Sequence, residues 1–84
     1  MPRYFFHIHD RNGHTADDEG SVLPDPMAAR AVALAGARSI LCEDVQAGYL
    51  DLDASIEVLD DEGASVLTLR FAEAVQAAIP GRRA

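Results

Sequence analysis

The chain has 84 residues, one cysteine and a formal net charge of −7, from fourteen acidic side chains against seven arginines and no lysine. This length supports one domain, and the single cysteine excludes an intrachain disulfide. The acidity argues against nucleic acids and anionic membranes as partners, because both attract basic surfaces. No run of about 18 apolar residues and no leader pattern is present, so we expect a cytoplasmic protein.

Residues 3–9 predict a β-strand with two different faces, because successive side chains of a strand point to opposite sides. One face is apolar and aromatic, and we expect it to lie in the core. Its members are Tyr4, Phe6 and Ile8. The other face carries Phe5, His7 and His9. It is the part of this strand that is open to either packing or chemistry.

The residues after this strand predict a turn over 10–13 and a polar second strand over 14–17. The register of this hairpin is open. A two-residue turn at Asn12-Gly13 places His14 diagonally beside His9 on the same face. A four-residue turn places the two histidines directly opposite each other, whereas a one-residue bulge sends His14 to the other face.

A long helix is expected next, after a short extended link at residues 21–23. Asp25 is a favourable capping residue and Pro26 suits the first helical position. Gly48 is a favourable residue to follow a helix end. The helix is therefore predicted to run from Pro26 to about Gln46 or Ala47.

Two stripes of side chains follow the helical repeat. The first is apolar and is expected to pack on the sheet. It comprises Met27, Ala31, Leu34, Ala37, Leu41 and Val45, with Ile40 beside them. The second is small and uncharged, which allows another helix to approach closely. This predicted interface comprises Ala28, Val32, Ala35, Ser39 and Cys42.

The C-terminal third predicts a second hairpin, with strands over 55–60 and 65–70 joined at Glu62-Gly63. This register pairs three sets of apolar residues. They are Val58 with Leu67, Ile56 with Leu69, and Leu59 with Val66. A short helix over 71–79, ended by Pro80-Gly81, is expected to follow.

The order of elements is ββαββ with a short C-terminal helix, which predicts an α+β fold. Two hairpins form a single antiparallel sheet, and the one long helix packs on it. Residues 1–79 form the single domain and residues 80–84 a C-terminal tail. The letters Asp-Asp-Glu-Gly occur at both 17–20 and 60–63. Either an internal duplication or two independent turns explains this repeat.

The opening Met-Pro-Arg-Tyr-Phe-Phe-His resembles the start of a family of small bacterial proteins known only as a domain of unknown function. Three further features, in order along the chain, fit the same family. They are the acidic turn Asp17–Gly20, the step Leu23-Pro24 into an alanine-rich helix, and the hairpin from Ile56 to Gly63. The resemblance implies this fold and a bacterial protein, and it brings no catalytic residue with it.

Histidines carry the sharpest chemical hypothesis. His7 and His9 share a strand face, a spacing used by metal sites, and His14 lies just across the turn. Metal binding by these three is one interpretation; the other is that His7 is half packed while His9 and His14 face water. A calcium loop over 51–62 fails, because Ile56 stands where such a loop needs glycine. No serine or cysteine lies beside a base in the sequence, so we expect neither an enzyme nor a cofactor.

The surplus of apolar side chains for so small a domain favours a non-catalytic module that binds itself or another protein, most simply as a homodimer. Two alternatives remain at this point. The first is metal binding by His7, His9 and His14. The second is an antitoxin-like regulator, since the order of hairpin and helix loosely resembles antitoxins of the HicB type. Those antitoxins have a more glycine- and tyrosine-rich second strand and a separate DNA-binding segment, which this chain lacks.

Overall fold

The computed structural model describes residues 1–76. These residues form five strands, one α-helix and one turn of 3-10 helix. The elements are β1 (Arg3–Asp10), β2 (Gly13–Thr15), β3 (Ser21–Val22), α1 (Pro26–Gln46), β4 (Ser55–Leu59), β5 (Ser65–Arg70) and the 3-10 turn Phe71–Ala74.

All strands belong to one antiparallel sheet, in the order β2-β1-β4-β5. The short β3 also pairs with β1, beside Arg3 and Tyr4, on the edge that β2 occupies further along. The predicted α+β fold of two hairpins and one long helix is confirmed. The second strand is shorter than predicted, and part of the expected extended link is β3.

The first hairpin turns at Arg11-Asn12, because Asp10 lies opposite Gly13. His9 lies directly opposite His14, which is the register expected from the four-residue turn over 10–13. In the second hairpin, Val58 opposes Leu67 and Ile56 opposes Leu69, as predicted. The predicted pairing of Leu59 with Val66 is wrong.

The error has a local cause at the turn of the second hairpin. An irregularity between Val58 and Leu59 shifts the register, so that Leu59 opposes Ser65. Asp60 accepts the backbone N–H groups of Glu62 and Ala64 at 2.9 Å each. These side-chain bonds hold a longer turn than Glu62-Gly63 alone provides.

Helix α1 begins where the sequence predicts it. The Asp25 carboxylate accepts the Ala28 N–H at 2.8 Å and caps the first turn, and Pro26 occupies the first turn of the helix. Ala47 follows the last helical residue, and Gly48 adopts a left-handed φ of 83°. A left-handed residue of this kind ends many helices.

The face of α1 that packs on the sheet differs from the predicted stripe. The buried residues follow a four-residue spacing and are mostly alanine: Ala29, Ala33, Ala37 and Leu41. Leu34 and Ile40 pack partly against this core. The prediction is wrong for Met27, Ala31 and Val45, which are exposed. Apolar residues surround most of α1, so their pattern does not define a single orientation, and alanines let the helix lie close to the sheet.

The core lies between α1 and one face of the sheet. Tyr4 is buried, and Phe6 and Ile8 pack against the core, which confirms the predicted inner face of β1. Phe71 is only 1% exposed, and its N–H donates to the Ala54 carbonyl at 2.8 Å. The predicted short helix over 71–79 is wrong where it can be compared: the chain forms a 3-10 turn over Phe71–Ala74 that ends at Val75, whose backbone is extended. The rest of that prediction, over 77–79, and the predicted tail at 80–84 lie outside the described residues.

Candidate functional site

Three histidines lie together on the sheet face that points away from α1. The rings of His9 and His14 stack with their centroids 4.5 Å apart and their planes at 12°. The His7 ring lies 5.4 Å from that of His14. On β4, Glu57 Oε1 lies 3.4 Å from His9 Nε2. His7 and His9 share a strand face, as the sequence predicts, and the register that pairs His9 with His14 brings the third ring beside them.

This cluster does not form a ready metal site. Among residues 1–76, no group of three or more His, Cys, Asp or Glu side chains is arranged to hold a metal ion. An imidazole binds metal through a nitrogen lone pair in the ring plane. The stacked rings of His9 and His14 direct these lone pairs side by side instead of toward one point. Metal binding by His7, His9 and His14 stays a prediction from the sequence.

His7 instead accepts a hydrogen bond from Asp17, which also binds the residue before His7. The Asp17 N–H donates to His7 Nδ1 at 3.1 Å, and the Asp17 carboxylate accepts the N–H of Phe6 at 3.1 Å. One residue of the loop thus provides hydrogen-bond partners for two neighbouring residues of β1, the backbone N–H of Phe6 and the Nδ1 atom of His7. Sequence reasoning missed this pair, although the position of Asp17 at the start of an acidic turn gave a signal.

The Asp17 carboxylate also organises its own loop, accepting the N–H groups of Glu19 at 3.3 Å and Gly20 at 3.0 Å. Desolvation raises the pKa of Asp17, but the backbone N–H groups that donate to it outweigh this effect. Its net pKa therefore lies below the ordinary value of 3.8. The loop is tight, because a Cβ on Gly20 would lie 2.7 Å from the Tyr4 carbonyl oxygen.

A second site at the end of the sheet is an acidic groove of about 450 Å³. The Arg11 guanidinium lies over the Tyr49 ring, 3.7 Å from its centroid. Desolvation and a hydrogen bond with Asp51 raise the pKa of Tyr49 above 10.0. Desolvation also raises the pKa of Asp51, but donated hydrogen bonds, first that of the Asp53 N–H, bring it below 3.8. No local motif in the sequence predicts the contact of Arg11, in the first turn, with Tyr49, in a distant loop.

The predicted interface on α1 is uncovered by the rest of residues 1–76, and we call it the outward face. Ala28 is half buried and the other four members are exposed. They are Val32, Ala35, Ser39 and Cys42. Val32 is 41% exposed, and near the two ends of the helix Met27 and Val45 are 82% and 57% exposed. The neighbouring cation Arg38 is held by the Ala74 carbonyl, to which its Nε donates at 2.7 Å.

Residues 1–76 thus form a small α+β domain in which one α-helix covers one face of a five-stranded antiparallel sheet. A family model matches residues 3–72, the domain of unknown function DUF6894. The chain belongs to this family. No curated protein and no solved structure matches it. Within residues 1–76, α1 and the 3-10 turn both fall short of the length and apolarity that a membrane-spanning helix requires.

Proposed function

We propose that this domain is a non-catalytic module of the bacterial cytoplasm that associates with a second copy of itself through the outward face of α1. The observation that carries the proposal is the uncharged, largely exposed surface along a 21-residue helix. A helix that is apolar on both sides is typical of an element covered on both sides. The sheet covers only one of them here.

The distribution of charge favours the outward face as the interface between two copies. Each copy carries a formal charge of −7, so two copies repel wherever acidic side chains face each other. The five residues of the outward face are all uncharged. A contact centred on Ala35 keeps most of the acidic groups away from the interface, and closed symmetric dimers are the commonest oligomers.

Small side chains make this contact favourable in packing as well. Alanine and serine let two helices approach to the short end of the usual interaxial range of about 8–10 Å. In an antiparallel pair centred on Ala35, Cys42 of one copy lies opposite Ala28 of the other. Cys42 is free and exposed in the single chain, which fits a reducing compartment such as the cytoplasm.

Sedimentation equilibrium over a series of protein concentrations tests the proposal. We expect the wild type to reach the mass of a dimer and Ala35→Arg to remain a monomer. The added arginine lowers the net negative charge, so loss of the dimer is not explained by greater overall repulsion. Raising the salt concentration should strengthen the wild-type dimer, because salt screens the repulsion between two acidic copies.

Thr68→Arg is the matched control, since Thr68 is exposed on β5 and lies across the strand pair from Glu57, on the sheet face away from α1. This variant should dimerise like the wild type. A wild-type chain that stays monomeric at all concentrations contradicts the proposal. So does a dimer that Thr68→Arg disrupts and Ala35→Arg leaves intact, which would place the interface on the sheet.

A further inference from the structure

The edge of β1 has a gap between two short partner strands. β2 pairs with Ile8–Asp10, and β3 pairs with Arg3 and Tyr4. Between them, the residues from Phe5 to His7 face the loop over 16–20. Asp17 fills this gap, through its carboxylate toward Phe6 and through its N–H toward His7.

We propose that His7 and Asp17 form an acid-sensitive latch, in which protonation of His7 at Nδ1 breaks its bond with the Asp17 N–H and loosens the loop from β1. The bond requires an unprotonated Nδ1, because the N–H of Asp17 is a donor and an imidazolium offers only donors. Imidazole is the side chain whose ordinary titration falls between about pH 5 and pH 8. The latch lies on β1 and the loop over 16–20, not on the outward face of α1, and it is independent of the self-association proposed above.

The groups around His7 favour opening once it is charged. His14 on β2 and His9 on β1 itself bring two more imidazoles to the same face, and their protonation adds like charge. Glu57 on β4, which pairs with His7 across the strands, and the Asp17 carboxylate are the nearby anions. Both attract an imidazolium, which offers only donors and therefore can bind a carboxylate but not the Asp17 N–H.

The two hydrogen bonds between Asp17 and β1 should respond differently to pH. The Asp17 carboxylate has a pKa below 3.8, so it remains ionised while imidazoles titrate and continues to accept the Phe6 N–H. Mild acid therefore breaks the bond to His7 and leaves the bond to Phe6 intact.

Amide hydrogen exchange measured by NMR, corrected for intrinsic rates, tests the latch in the full chain. From about pH 7.5 to about pH 5.5 the protection of the Asp17 amide should fall roughly fivefold, the effect of losing one net hydrogen bond. The protection of the Phe6 amide should stay constant. In His7→Asn, the side-chain oxygen can accept the same N–H without titrating, so the Asp17 protection should not change with pH.

His9→Gln with His14→Gln is the matched control and should retain the wild-type fall. Wild-type protection that is constant with pH overturns the proposal, as does an equal fall in His7→Asn or no fall in the double variant. The ring nitrogen spectrum of wild-type His7 gives a test that needs no variant. At about pH 7.5 it should show a bare Nδ1 and a protonated Nε2, and the opposite tautomer overturns the latch.

Discussion

Asp17 Oδ2 lies 3.1 Å from the backbone nitrogen of Phe6, so a carboxylate occupies the place beside β1 that a partner strand would fill. The contact explains how one strand edge serves two short strands without leaving the N–H of Phe6 unpaired. An unpaired backbone donor in a partly buried position is costly, so this carboxylate is expected to contribute strongly to stability.

Asp17→Asn should therefore lower the free energy of unfolding by about 1–3 kcal/mol, because an amide presents one donor group to N–H groups that need acceptors. Urea unfolding measures this change. The neighbouring Asp18 has an exposed side chain, and Asp18→Asn is expected to stay within about 0.5 kcal/mol of the wild type. Equal effects of the two substitutions would contradict the stabilising role of the Asp17 carboxylate at the edge of β1.

The contribution of Asp17 should depend on pH in a defined direction. Its pKa is lower in the folded protein than the ordinary 3.8, so the folded state favours the ionised form. The resulting stabilisation is fully present above pH 3.8 and is lost as the pH falls through the lower folded pKa. The difference in unfolding free energy between wild type and Asp17→Asn should shrink below about pH 3.8. A difference that stays constant down to full protonation of the carboxyl contradicts this origin.

Gly20→Ala tests the close approach of the loop to β1. The new Cβ would lie 2.7 Å from the Tyr4 carbonyl oxygen, and φ at this position is 70°. Gly63 has a similar φ of 83°, and a methyl group added there would meet no atom within 4 Å, so Gly63→Ala isolates the cost of the backbone conformation. We expect about 1 kcal/mol for Gly63→Ala and clearly more for Gly20→Ala in urea unfolding. Equal losses would argue against a steric role for Gly20.

The orientation of α1 predicts opposite results for two alanines of the same helix. Ala37 is fully buried against the sheet, so Ala37→Leu should lower the free energy of unfolding by about 1–3 kcal/mol through overpacking. Ala31 is exposed, and Ala31→Leu should change it by less than about 0.5 kcal/mol. Thermal or urea unfolding of dilute samples compares the two. A larger loss for Ala31→Leu than for Ala37→Leu would instead support the sheet-facing stripe that the sequence predicts.

Much of the fold follows from local sequence signals. The alternation around Tyr4, Phe6 and Ile8 predicts the inner face of β1, and Asp25 and Gly48 mark the two ends of α1. These predictions hold because capping and strand alternation depend on residues that are close in the sequence.

The remaining features depend on contacts between distant residues. The rotation of α1 cannot be predicted from the sequence, because alanine and other apolar residues surround the helix. The core that buries Ala33 and Ala37 also contains Ile56 and Val58, which come from a distant strand. Likewise, the contact of Arg11 with Tyr49 joins residues 38 positions apart, and no periodicity encodes it. The histidine cluster belongs to one of several registers that the sequence allows, and the turn decides among them.

Cys42 offers the most direct test of self-association through the outward face, because it is the single thiol and lies on that face. The rate at which a small alkylating reagent modifies it can be measured in folded protein over a range of protein concentrations. The account predicts that the rate falls in step with the fraction of dimer found by sedimentation, and that Ala35→Arg keeps the fast rate at every concentration. A dimer in which Cys42 reacts as fast as in the monomer would contradict it.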